Sequence, residues 1–195
     1  MLTRHAHSTR NAEGRVNGDP SVPVPITEQG RVEAERVGRE LAPLGLELCV
    51  HTRFQRTRET ADAILEGRSV PRVPDIPRLV EPLLDDIDVG GLEGAPVEEY
   101  RAWKRAHRHD EPFPGGESLD DAARRYARAL RRLLERPEQA ILVVCHEIPV
   151  RYALNAAAGS DDLDGPERRI PNATPYLFDE AGLARAVARI EQLVG

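Results

Sequence analysis

Three polar groups in this sequence each follow directly on an apolar run. Arg4-His5 follows Met1-Leu2-Thr3, the arginines between Arg53 and Arg58 follow Leu46–Val50, and His146 follows Ala140–Cys145. Guanidinium forks match the geometry of phosphate oxygens, and a neutral imidazole can attack phosphorus. Two arginines and two histidines gathered in one crevice would therefore suit a phosphoryl group. The competing reading is a set of surface arginines beside half-exposed histidines. Other chemistries are missing from the text of the chain: it has no GxxxxGK[ST] loop, no Gly-rich dinucleotide fingerprint, no GxSxG elbow and no CxxC pair.

Whether these groups meet depends on the elements that carry them. Apolar segments alternate with helical ones, the pattern of an α/β fold with a mostly parallel sheet. Helices are expected from Thr27 and Gly30 to Leu41, over Gln55–Leu65, Val97–His107 and Leu119–Glu135, and over Ile148–Ala158 with Pro149 in its first turn. Leu46–Val50 and Ala140–Cys145 read as buried strands. The stretch from Gly67 to Pro82 carries Pro71, Pro74, Pro77 and Pro82, so it reads as irregular or edge-strand chain. Thr174–Phe178 looks extended, Asp179–Gly182 reads as a turn, and Leu183–Ile190 is expected as a returning hairpin strand from its weak period of two. No linker divides the chain, which points to a single domain over residues 1–195. In such sheets ligands sit beyond the carboxyl ends of the strands, so the three polar groups are placed to converge.

Composition limits the partners. Hydrophobic residues make up 40% and charged residues 31%, ordinary values for a globular chain. A net charge of -6 offers no general attraction to nucleic acid or to an anionic membrane surface. An anionic substrate would need a local basic pocket. Of the 27 basic residues only Lys104 is lysine, and most of the arginines read as solvated surface. No apolar run approaches the roughly 18 residues of a membrane span. Arg4 and His5 fall where a signal peptide would need its apolar stretch, and Cys49 and Cys145 lie in apolar runs as buried free thiols. The expected compartment is the cytoplasm.

The order of motifs carries a further resemblance. Leu2-Thr3-Arg4-His5-Ala6-His7-Ser8-Thr9-Arg10-Asn11 resembles the L-x-R-H-G-x-[ST]-x-x-N signature of the histidine phosphatase superfamily, which includes the phosphoglycerate mutases. Ala12–Gly18 and Pro25-Ile26-Thr27-Glu28-Gln29-Gly30 resemble the next loop and helix start of that family. His51–Ala61 is similar to S-S-x-x-x-R-A-x-Q-T-A, Gly90-Gly91-Leu92-Glu93-Gly94 to G-x-W-E-G, and Pro114–Ser118 to P-G-G-E-S. Val143-Val144-Cys145-His146 stands where V-x-S-H-G is usual, and Pro171-Asn172-Ala173-Thr174 resembles P-N-[AC]-[ST]. Each piece is weak or moderate alone; in order over about 170 residues they reinforce one another.

The resemblance implies a three-layer α/β/α sandwich of the phosphoglycerate mutase-like kind. It implies a metal-independent phosphomonoesterase, without cofactor, whose partners are a small phosphorylated metabolite and inorganic phosphate; a homodimer is left open. His5 would be the nucleophile of a phosphohistidine intermediate. Arg4, Arg56 and His146 would ring the phosphoryl oxygens, with Asn11 as a neutral donor. Counting back four residues from Gly90 places the general acid at Asp86, with Glu81, Asp85 and Asp88 as rivals. Asn17, Gly18 and Glu147 would line the substrate pocket, with specificity in 17–24 and 96–113. Ala6, His7 and Glu147 depart from the family pattern, and Glu147 would repel an anion unless it points away or pairs with Arg151. Glu117 and Ser118 read as caps of the following helix, and His107 and His109 as exposed. Two other functions stay open: a phosphoglycerate mutase, although the segment from Ala95 to Phe113 lacks the long E-R-R-Y insertion, and a silent member that binds a phosphorylated ligand or a protein. A metal site on His5, His7 and His51 is a weaker idea, opposed by the surrounding arginines.

Overall fold

The computed structural model describes residues 1–68 and 75–195, so Pro71 and Pro74 of the proline-rich stretch lie outside the described residues. Five strands form one sheet: β1 (Leu2–Arg4), β2 (Leu48–His51), β3 (Arg78–Val80), β4 (Ile141–Cys145) and β5 (Pro175–Tyr176). Their order is β3-β2-β4-β1-β5, parallel throughout except for β5, which runs antiparallel against β1. The described helices are α1 (Thr9–Glu13), α2 (Glu28–Glu40), α3 (Gln55–Gly67), α4 (Val97–Ala106), α5 (Leu119–Leu134), α6 (Glu147–Ala157) and α7 (Glu180–Val194).

Strand alternation sorts the core into two layers. Leu48 and Val50 of β2, with Val143 and Cys145 of β4, face a cluster built with α5, α6 and α7. Cys49, Leu142 and Val144 point the other way, toward α2 and α3. Side chains of a strand project to opposite faces in turn, so both faces are covered and the α/β/α sandwich follows. The two cysteines are buried and unpaired, and burial pushes both thiols up to about 12. No helix among the described residues is long and apolar enough to cross a membrane.

Local chemistry explains the helix starts. Thr27 caps α2 by accepting from Gly30 N, and Ser118 caps α5 in a reciprocal box with Asp121. Glu117 does not share that capping role: it pairs with Arg125 at 2.5 Å and accepts from Asp88 N at 2.9 Å. The short α1, which the sequence reading did not foresee, is opened by Ser8 with Asn11 in the same kind of box.

One element corrects the sequence reading. Residues 183–190 are not a hairpin strand but the middle of α7. Asp179 caps it through Gly182 N at 2.6 Å, and Ala186, Val187, Ile190 and Val194 form a buried stripe at helical spacing. α7 packs on α5 and α6. Alanine favours helix intrinsically, and the period of two came from alanines alternating with Leu183, Arg185, Val187 and Arg189 along that helix.

Candidate active site

β1, β4 and β2 are adjacent in the sheet, and this is why the three polar groups meet. Arg4 lies opposite Cys145, and His51 opposite Val144, so His5, His146 and Thr52 leave the sheet side by side. Above them opens a cleft of about 890 Å³ lined by Arg4, His5, Asn11, Arg56, Asp86 and Glu147, among others.

His5 is 4% exposed, and its Nδ1 lies 2.8 Å from the carbonyl oxygen of Ala6. A carbonyl can only accept, so Nδ1 carries the proton and the lone pair sits on Nε2. Burial first, then Arg56 and Arg4, hold the His5 imidazole well below its ordinary value. At neutral pH it is therefore an uncharged base, the form a nucleophile needs.

His146, fully buried, is fixed from both nitrogens. Its Nε2 lies 3.0 Å from Thr52 Oγ1, which in turn lies 2.8 Å from Thr57 Oγ1. Thr57 Oγ1 donates to the Phe54 carbonyl at 2.8 Å. Following the chain backward, Thr57 accepts from Thr52 and Thr52 accepts from His146, which sets Nε2 as the protonated nitrogen. Nδ1 is then free to accept from Arg56 Nη2 at 3.1 Å. Burial, with Arg56 and His5 beside it, again holds this imidazole well below its usual value.

Arg56 is the hub. Its Nη1 donates to Asn17 Oδ1, and its Nη2 contacts the Asn17 carbonyl, Asp86 Oδ2 at 3.0 Å and His146. The guanidinium lies 4.3 Å from the Phe54 ring centroid. Arg4 uses one nitrogen, Nη1, for both the Ile170 carbonyl and Glu147, each at 2.8 Å. Its Nε is buried without a partner, so the Nε–Nη2 edge, the edge that forks onto an oxyanion, stays unused.

Of the four candidates for the general acid, Asp86 is the one that lines the cleft. Its Oδ2 lies 3.4 Å from His146 Nδ1 as well as on Arg56. Burial raises its pKa above the ordinary carboxylate value, with Arg56 pulling the other way. The rivals point elsewhere: Asp85 pairs with Arg53 at 2.5 Å, Glu81 accepts from Leu83 N and faces Arg132, and Asp88 is exposed and accepts from Gly90 N. Arg125 holds this segment by donating to the carbonyls of Leu83, Asp85 and Asp86.

Asn11 has its Oδ1 engaged by Ser8 N, Ser8 Oγ and Asn172 Nδ2, which leaves its own amide nitrogen as the free donor. Asn172 also donates to the His5 carbonyl at 2.7 Å, and the next residue, Ala173, is held at φ 44°, a strained setting for a side chain with a Cβ. Asn17 and Gly18 line the cleft, yet Asn17 has every side-chain atom committed: Oδ1 to Arg56, Nδ2 to Asp19 O and Glu93. Glu93 collects that amide with Gly18 N at 2.6 Å and Asp19 N at 3.1 Å. A Cβ on Gly18 would meet the Ile87 carbonyl at 2.2 Å, so only glycine lets this loop close on the Asp86 segment.

Glu147 points into the cleft wall and bridges Arg4 and Arg151, the latter at 3.0 Å. Arg151 continues to Asp164, where Lys104 and His109 also end. His109 is thus half-buried rather than exposed, while His107 is exposed and stacks on Trp103. His5, His7 and His51 bind three different partners, Ala6 O, Thr27 Oγ1 and Thr52 O. Among the described residues no three His, Cys, Asp or Glu side chains gather as a metal-holding group.

The sequence reading missed the supporting residues Thr52, Thr57, Glu93, Glu117, Arg125 and Asn172. Five of them sat inside motifs it had already quoted, so the signal was present, with a role attached only to Glu117, as a helix cap.

Comparison with known proteins finds similarity over nearly the whole chain. The family model described as "Histidine phosphatase superfamily (branch 1)" matches residues 1–191. The chain is 33% identical over 194 residues to a 2,3-bisphosphoglycerate-dependent phosphoglycerate mutase of Methylobacterium sp. (strain 4-46), covering 91% of this chain and 89% of that one. It is 31% identical over 172 residues to phosphoserine phosphatase 1 of Hydrogenobacter thermophilus, covering 83% and 76%. Among solved structures, Bacillus stearothermophilus YhfR superposes with a TM-score of 0.71 at 26% identity, covering 92% of this chain and 86% of that one. The alpha-ribazole phosphatase of Shigella flexneri gives 0.67 at 25%, covering 82% and 79%.

Proposed function

The chain belongs to the histidine phosphatase superfamily, branch 1, and from that premise we propose that it hydrolyses a small phosphorylated metabolite through a phosphohistidine on His5. The observation that carries this reading is the tautomer of His5: Nδ1–H on the Ala6 carbonyl leaves a bare Nε2 at the floor of an arginine-lined cleft.

The steps balance as follows. Nε2 of His5 attacks phosphorus, the P–O bond to the alcohol breaks, and the departing oxygen takes the proton of the Asp86 carboxyl group. Arg4 and Arg56 bind the three peripheral oxygens, where charge is held through the transfer. Asp86, now a carboxylate, removes a proton from water; the oxygen attacks phosphorus, the P–N bond breaks, and inorganic phosphate leaves with His5 neutral again. A buried carboxyl group with a raised pKa supports both halves of that cycle. The arginines provide the positive charge, so no metal or cofactor is invoked.

The test is release of phosphate from p-nitrophenyl phosphate with and without EDTA, repeated with His5→Ala. Activity that EDTA abolishes, or that survives the substitution, refutes the mechanism. The mutase reading draws specific support from the Methylobacterium relative and its length of match. It requires the phosphoryl group to return to a second hydroxyl before water reaches it. Interconversion of 2- and 3-phosphoglycerate faster than phosphate release would favour it. Phosphate binding without turnover on any phosphoester would instead indicate a silent binder.

A further inference from the structure

The cleft is far more basic than the chain. Nine arginine and lysine side chains line it against three carboxylates, in a protein of net charge -6. Most of these cations are matched: Arg56 by Asp86, Arg4 by Glu147, Arg151 by Glu147 and Asp164, Lys104 by Asp164, Arg101 by Glu98 and Arg10 by Glu13. Arg168 and Arg169 are different. Both line the cleft, both are exposed, and neither has an ion-pair or hydrogen-bond partner among the described residues.

Their position relative to the reacting centre is fixed by the backbone. Ile170, the next residue, is buried, and its carbonyl accepts from Arg4 Nη1 at 2.8 Å. A residue spans at most about 3.6 Å, so the α-carbons of Arg168 and Arg169 lie within about 7 Å of Ile170. Long side chains from there reach over the cleft beside the phosphoryl pocket. Arg15 stands free of carboxylates in the same lining, its guanidinium on the Gly94 carbonyl at 2.6 Å. Arg4 and Arg56 already supply the charge a phosphoryl dianion needs. Positive charge left over at the mouth of a cleft focuses potential on whatever else the substrate carries.

Resting on the phosphomonoesterase reading, we propose that Arg168 and Arg169 form a subsite for a second oxyanion. The substrate class is then a phosphomonoester whose leaving group bears a carboxylate or another phosphate a few bonds from the ester oxygen. A neutral alcohol such as a simple nucleoside or sugar leaves the two guanidiniums without a partner. Both groups sit in the loop between α6 and β5, outside the segments 17–24 and 96–113 where the sequence placed specificity.

Matched substrates test this. Glycerol 3-phosphate and 3-phosphoglycerate differ in one terminal group, hydroxymethyl against carboxylate; glucose 6-phosphate and glucose 1,6-bisphosphate make the corresponding pair for a second phosphate. The wild-type chain should favour the more anionic member of at least one pair by about tenfold in kcat/KM, the scale expected of two partly exposed charge contacts. The pair that shows it identifies the anion. In Arg168→Gln/Arg169→Gln that ratio should fall to within about threefold, chiefly through KM, and in the wild type it should shrink as ionic strength rises. A wild-type ratio near one in both pairs, or a ratio the double substitution leaves intact, overturns the subsite. Failure of the underlying reading looks different: no phosphate is released even from p-nitrophenyl phosphate. In that event the same pairs are compared by calorimetric Kd on wild type and variant, where equal affinities overturn the proposal and the tenfold difference sustains it.

Discussion

Keeping two imidazoles uncharged in a buried, arginine-rich cleft has a thermodynamic consequence that can be measured. His5 and His146 both have folded-state values held well below 6.5, by burial first and by Arg56 next. In the unfolded chain they titrate near 6.5. As pH falls through that value the unfolded state takes up protons that the folded state refuses, so stability is full above about 6.5 and is lost as pH drops toward the depressed folded values. The size of the loss depends on proton number, not on how far each value is depressed. Between pH 6.5 and 5.5 each histidine contributes about 1 kcal/mol, and the two together about 2 kcal/mol. His109 works in the opposite sense: its bond to Asp164 raises it, so its contribution is complete below 6.5 and fades above. The raised Asp86 carboxyl group likewise favours the folded state on the acid side. A single substitution separates these contributions. His5→Gln should reduce the loss of unfolding free energy between pH 6.5 and 5.5 by about 1 kcal/mol, read from urea titrations at both values. An unchanged pH dependence would refute the neutral-imidazole argument, and with it the nucleophilic state assigned to His5.

Three further outcomes follow from particular contacts. Thr52→Val strips His146 Nε2 of its acceptor and should cost about 1–3 kcal/mol in urea unfolding, because a buried donor is left unpaired, with a fall in kcat on any phosphoester. Glu93→Ala removes the acceptor of three N–H groups and should lower stability by about 2–4 kcal/mol; kcat/KM should fall by tenfold or more as Asn17 ceases to orient Arg56, and retained activity would count against Arg56 as the hub. Asp86→Asn should slow alkyl phosphates by about 10²–10⁴ and p-nitrophenyl phosphate much less; equal slowing of both would remove Asp86 as the general acid.

Much of the frame could be read from the chain because its signals are local. The Val- and Leu-rich run of β4, the Thr27 and Ser118 caps and the stripe of α5 each follow from a few neighbouring residues. The convergence of Arg4-His5, Arg56 and His146 needed one further rule, that polar groups at parallel strand ends share a crevice; the order β2-β4-β1 realises it. What escaped the sequence reading depends on distant partners. Glu93 binds a loop some 75 residues away, Arg125 grips carbonyls about 40 residues away, and Asn172 reaches His5 across 167 positions. α7 was misread for a related reason: with alanine at alternate positions, local periodicity is weak, and burial against α5 and α6 settles it as helix.

Glu147 shows how a residue that looked wrong in sequence acquires a physical account. A carboxylate directly after His146 seemed set to repel a phosphoryl group. It occupies the first turn of α6, where the helix N-terminus favours negative charge, and its two oxygens meet Arg4 and Arg151. Its charge is thereby balanced before any ligand arrives. The contact with Arg4 is made through Nη1 alone, which the Ile170 carbonyl shares. With Nη1 tied on one side, the guanidinium plane can present only its Nε–Nη2 edge to the cleft, and Nε is the atom left buried without a partner. Glu147 therefore serves to aim Arg4 rather than to block it. The same carboxylate links Arg4 through Arg151 to Asp164, on which Lys104 of α4 and His109 also converge, so the wall of the cleft and the arginine beside the nucleophile are held by one continuous set of charges.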